Sequence, residues 1–145
     1  LLREAHRVLK KGGLLVLTTP NVLNMKSRLR YFASGFANLF GPLPVKADTR
    51  YSTAGHITPI PFFYLARALL DTGFTDMQVD VDKVQKTSLF CCVLLYPLWV
   101  IAWRRFLALE RKKYRTLTEE NESYVLWHGS RMLMTGRTLV VSTLK

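Results

Sequence analysis

Residues 3–21 read REAHRVLKKGGLLVLTTPN, and the fold follows from how this stretch divides. Leu2, Ala5, Val8 and Leu9 recur at helical spacing, while Arg3, Glu4, Arg7 and Lys10 face away. Lys10 and Lys11 stand where cations favour a helix C-terminus, and Gly12 can adopt the left-handed conformation that stops a helix. Leu14 to Leu17 then run without a polar break, and Pro20 closes the run. A short unbroken apolar run after a helix and two glycines predicts a strand covered on both faces, as in a parallel sheet. In open α/β sheets ligands bind just beyond the carboxyl ends of strands. Thr18, Thr19 and Asn21 occupy that position.

Outward from this strand, Asn24 to Phe40 reads as a basic amphipathic helix broken at Gly35. Met25, Leu29, Phe32 and Phe36 alternate there with Lys26, Arg28 and Arg30. Val45 to Gly55 reads as loop, and long loops in compact domains are often lids. Pro59 and Pro61 introduce a helix with Phe62, Leu65, Ala66, Leu69 and Leu70 on its buried stripe, stopped at Gly73. From Thr75 to Val84 the period becomes two, with Met77, Val79 and Val81 opposite Asp76, Gln78, Asp80 and Asp82. That pattern predicts an edge strand with one wet face. The paired aspartates are read as that solvated face. Thr118 to Glu122 is an acidic turn or helix start, and Thr138 to Thr143 is the closing strand.

Two blocks in this order, RVLKKGGLLVLTTPN and Gly55-His56-Ile57-Thr58 followed by a helix and Leu69-Leu70-Asp71-Thr72-Gly73-Phe74, resemble class I S-adenosylmethionine-dependent methyltransferases. The first block is similar to the family's fifth strand, with Lys11 where proline is common. The second is similar to its histidine loop, last helix and sixth strand. The resemblance is nearest to the ubiquinone-biosynthesis-like and sugar- or lipid-modifying branches. It implies an α/β fold, the C-terminal portion of a Rossmann-like seven-stranded sheet, with residues 138–145 inserted antiparallel beside the fifth strand. It covers residues 1–84 and 138–145. Residues 85–137 form a hydrophobic and basic insert where the family often has a short hairpin.

The resemblance implies a transferase using S-adenosylmethionine. The family's cofactor-binding glycine loop is not found in these 145 residues. The expectation is therefore a substrate-side half, with the cofactor held mainly by an N-terminal part and its binding residues unassigned. Thr19 and Asn21 are expected near the acceptor, with Arg28 or Arg30 drawing an anionic group. His56 has two readings, a general base or substrate hydrogen bond, and a histidine that ties down its loop. His6 and His128 are read as structural. No metal is expected.

The net charge is +11 on 145 residues, and 49% of the chain is apolar. A basic chain of this kind suits nucleic acid, an anionic lipid surface or an acidic substrate. Position favours lipid over nucleic acid. Ser88 to Trp103, SLFCCVLLYPLWVIAW, carries no charge. Interrupted by Pro97, it falls short of the ~20 apolar residues of a spanning helix and fits an interfacial segment better. Tyr96, Trp99 and Trp103 are ring types of the membrane interface, and Arg104, Arg105, Arg111, Lys112, Lys113 and Arg115 follow. Each such cation favours an anionic leaflet by ~1 kcal/mol. A buried helix or a dimer interface is the soluble alternative. Adjacent Cys91 and Cys92 suit a reducing cytoplasm. The expectation is a small-molecule or lipid-linked acceptor met at the inner face of a membrane. The rival is a non-catalytic membrane-surface module or degenerate methyltransferase-like scaffold.

Overall fold

The computed structural model describes residues 1–42, 56 and 58–145. The expected loop at Val45 to Gly55 lies outside the described residues. Helix α1 (Leu2–Val8) leads to strand β1 (Leu14–Pro20). Helices α2 (Met25–Ser34) and α3 (Phe62–Leu70) follow, then strand β2 (Thr75–Val81). The long helix α4 (Lys86–Leu109), the short helices α5 (Glu122–Trp127) and α6 (Arg131–Thr135), and strand β3 (Thr138–Leu144) complete the order.

The three strands form one sheet in the order β1-β3-β2, and β3 is antiparallel to both neighbours. The two outer strands therefore run parallel to each other. The register aligns Leu17, Val141 and Val79 in one row, and Thr19, Leu139 and Val81 in another. Every second residue of β3, Leu139, Val141 and Thr143, is buried. This alternation is that of a strand with one face covered. The ladder continues past β1, where the Gly12 N–H donates to Lys145 O (2.9 Å) and the Lys145 N–H to Gly13 O (3.0 Å). Gly12 has φ +75°, a conformation open to glycine, but it lies in the turn after α1 rather than at its end.

One face of the sheet is covered. Phe62, Ala66 and Leu69 of α3, with Phe74 and Leu133, pack on Leu139 and Val141, and Leu2, Ala5, Leu9, Leu15 and Leu17 border them. Gly73 (φ +97°) closes α3, as the Phe74 N–H donates to Leu69 O and the Gly73 N–H to Leu70 O. The expectation that β1 is covered on both faces is not met. Leu14 and Val16 are 58% and 52% exposed, because among the described residues no layer packs on that side. Val8 is likewise exposed, since α1 ends there and turns its Leu2–Ala5–Leu9 side to the core. The edge position of β2 agrees with its alternating sequence, and Asp76, at φ +48°, marks the irregular register near Thr75.

The segment from Ser88 is not a short broken one. Pro97 deprives Val93 O of one helical N–H, yet the helix continues through it. A π-helical turn, Glu110–Tyr114, extends α4 to a 29-residue rod. By length and composition alone this rod is long and apolar enough to cross a bilayer, whereas the uncharged residues by themselves fell short of that length.

Candidate functional site

The end of β1 is held by a buried network of polar side chains. Asn21 donates through Nδ2 to Leu133 O (2.7 Å) and Gly136 O (2.9 Å), and its Oδ1 accepts from the Leu23 N–H (2.9 Å). Its own N–H donates to Arg137 O. Asn24 donates to Asn21 O (2.7 Å) and caps α2 by accepting from the Ser27 N–H (2.8 Å). Ser88, wholly buried at the start of α4, accepts from the Lys26 N–H (3.2 Å) and donates to Gln85 Oε1 (2.8 Å). Ser27 Oγ accepts from the Asn38 N–H (2.8 Å), which folds the residues after α2 back onto it. Three elements distant in sequence are thus tied to one strand end.

Arg28 lies within this network. Its Nε donates to Leu23 O (2.6 Å) and its Nη2 to His128 O (2.5 Å). Burial lowers its pKa from the ordinary arginine value. His128 Nε2 accepts from the Phe63 N–H (3.0 Å) at the start of α3, so Nδ1 carries the proton of the neutral ring. Desolvation, with the neighbouring Arg28 charge, lowers the His128 pKa from 6.5 to about 4. The imidazole is neutral at physiological pH and links α3 to α5.

The residues singled out from sequence do not converge on one point. Thr19 sits on the covered face of β1, paired with Leu139, and Thr18 points to the open face. Among the described residues, neither hydroxyl has a protein partner. Asn21 is buried with its side chain fully engaged. Arg28 points inward, while Arg30, two positions along the helix, is exposed on another side. His56 is half-buried with its ring 5.7 Å from that of Phe40, in the segment anchored by Ser27. Its neighbours Gly55 and Ile57 lie outside the described residues. Sequence reading missed Asn24 as a cap and Ser88 as a buried member of the network. The Asn24-x-x-Ser27 spacing at a helix start was the available signal for the first, and nothing local marked the second.

The described residues do not by themselves fit S-adenosylmethionine. The polar groups at the strand end are engaged with backbone or are two threonine hydroxyls, and no carboxylate joins the network to hold ribose hydroxyls. Among the described residues, no group of three or more His, Cys, Asp or Glu is placed to hold a metal.

Beside this site lies a second kind of surface. α4 turns Ser88, Cys92, Trp99 and Trp103 inward or partly inward, and Phe90, Leu94, Leu98 and Ile101 outward. Only 11% of its most apolar 18-residue stretch is buried. Tyr96, Trp99, Trp103 and Phe106 stack in sequence, with centroids 6.2, 5.9 and 5.3 Å apart. α2 packs alongside and exposes Tyr31 and Phe32, the latter at 91%. Exposed Arg104, Arg105, Lys112, Lys113 and Arg115 stand at one end, and Arg111 pairs with Glu122.

No family model and no curated protein matches this sequence. The chain is similar in structure to a SAM-dependent methyltransferase from Archaeoglobus fulgidus, with 14% identity and a TM-score of 0.46. The similarity covers 99% of this chain and 50% of that one, so the chain spans about half the length of that protein.

Proposed function

We propose that residues 1–145 supply the acceptor-side half of an S-adenosylmethionine-dependent methyltransferase working against a membrane surface. The observation that supports the transferase part is the sheet order. β3 lies antiparallel beside β1, as the sequence resemblance implied for residues 138–145, with β2 on its other side. The cofactor would be held mainly by residues outside this stretch. The chain's own part is to position the acceptor. Thr18 and Thr19 offer hydroxyls at the strand end, and Arg30 offers an unburied cation to an anionic acceptor. His56, half-buried beside the Phe40 ring, takes the proton-accepting role.

The membrane part is supported by the outward apolar stripe of α4 and the cations that follow it. One side of α4 rests on α2 and α6 while the other presents aliphatic and aromatic groups. This suits a helix lying in the interface, with its cations toward anionic headgroups. The test combines the full-length protein, methyl-labelled S-adenosylmethionine and vesicles of extracted lipid. Label appearing in the organic phase is the expected result. Absence of binding to S-adenosylhomocysteine by calorimetry would overturn the transferase reading.

A second reading is a non-catalytic membrane-surface scaffold of methyltransferase-like form. It is favoured by Asn21 and Arg28, whose side chains serve the protein's own backbone. Vesicle binding without any cofactor binding would select it.

A further inference from the structure

Between α4 and α6 runs an open groove of about 540 Å³, within the size range of small-molecule sites. Its walls are apolar: Cys92, Val93, Tyr96 and Trp99 from α4, with Met134 from α6. One charged side chain reaches it, Arg131, exposed at the rim. Among the described residues, Arg131 has no ion-pair partner. Two features suggest what enters. Val93, 72% exposed, and Tyr96 belong both to the groove and to the outward apolar surface of α4, so the groove opens onto that surface. The groove's floor, Met134 and Thr135, lies between the carbonyls of Leu133 and Gly136 that Asn21 holds at the end of β1. The groove thus runs from the apolar surface toward the strand end.

We infer that this groove takes the hydrocarbon chain of a single-chain amphiphile whose anionic head pairs with Arg131. A long unbranched or isoprenoid chain matches an elongated wall of aromatic and thioether groups. Removing it from water supplies the driving force, with roughly 25 cal/mol for each Å² of apolar surface buried. Arg131 provides selection, since a guanidinium binds phosphate or carboxylate through parallel N–H donors and repels an ammonium head. Another cavity, of about 370 Å³ and lined by Phe63, Tyr64, Trp103 and Phe106, lacks this selectivity. Its polar groups are engaged, Glu110 by the Thr116 hydroxyl and His128 by the Phe63 N–H. The inference deepens the acceptor side of the function proposed above. It is tested by binding alone, so failure of methyl transfer and failure of the groove are separate results.

Trp99 makes the test direct. The full-length protein, without vesicles, is titrated with 12-bromododecyl phosphate below its micelle-forming concentration, and quenching of tryptophan fluorescence is followed. Saturable 1:1 quenching, lost in Trp99→Phe, is expected. The corresponding trimethylammonium amphiphile should bind about tenfold more weakly, and Arg131→Gln should remove that preference while retaining chain binding. Arg131 is exposed, so the substitution leaves the fold intact, which circular dichroism checks. Quenching that rises without saturation would reduce the site to adsorption on the α4 stripe and overturn the inference. Equal affinity for the two heads would do the same, as would displacement of the amphiphile by inorganic phosphate alone.

Discussion

The sheet and α4 are built from similar residues and put them to opposite use. Leu139, Val141, Leu69 and Phe74 are shut away from water, and each row of the sheet is continued by the strand beside it. Phe90, Val93, Leu98 and Ile101 are as apolar, yet each is about two-thirds exposed or more. Burial in the first region holds the fold together. Exposure in the second stabilises nothing within the chain, and contiguous exposed apolar surface is what membrane and partner contacts in general are made from. Hydrophobicity alone does not separate the two roles; the neighbours of each residue do.

Substitution in each region should break this contrast most sharply. Leu69→Ala leaves a cavity in the sealed core and should cost about 2–5 kcal/mol in chemical denaturation. Ile101→Ser, removing a comparable side chain from α4, should stay within about 0.5 kcal/mol. Equal effects would mean that the α4 stripe is covered in solution. Asn21→Ala strips the Leu133 and Gly136 carbonyls of their donors. It should destabilise by about 1–3 kcal/mol, and Asn21→Asp should not restore the fold, because it replaces both donors with a charge.

The exposed region is probed by lipid. Arg104→Gln with Arg105→Gln should weaken binding to anionic vesicles by about 2 kcal/mol, or some thirtyfold, and leave neutral vesicles unaffected. An effect on both vesicle types would assign these arginines to the fold instead. A gradual effect is expected of pH on His128. Its folded pKa of about 4 lies below the ordinary 6.5, so the unfolded chain binds the extra proton first. Stability should be full above pH 6.5 and decline as pH falls toward 4. His128→Gln should flatten that decline, as followed by denaturation at several pH values.

The elements of the sheet were legible because their signals are local. The unbroken run Leu14–Leu17 marked a strand, Gly73 marked the end of α3, and the alternation from Met77 to Val81 marked an edge. What covers a strand is not local, and β1 proved open on the face of Leu14 and Val16. Pro97 was misleading for a related reason. A proline forbids one hydrogen bond, but tertiary packing at Ser88, Cys92 and Trp99 on the same helix carries the chain through it. The site was legible in position but not in roles. A loop asparagine and a helical arginine look alike whether they face a ligand or their own backbone. Only the partners of Asn21 and Arg28 distinguish these, and besides Leu23 those partners lie a hundred residues or more away.

The central place of β3 also sets a schedule. Leu14 at the head of β1 meets Leu144, and β2 has no other strand to join among the described residues. Among the described strands, none can therefore pair until β3, residues 138–144, begins to leave the ribosome. By then the whole of α4 has been made, with helical contacts that are local and fast to form. For that interval the nascent chain displays its apolar helix while its sheet is still unassembled.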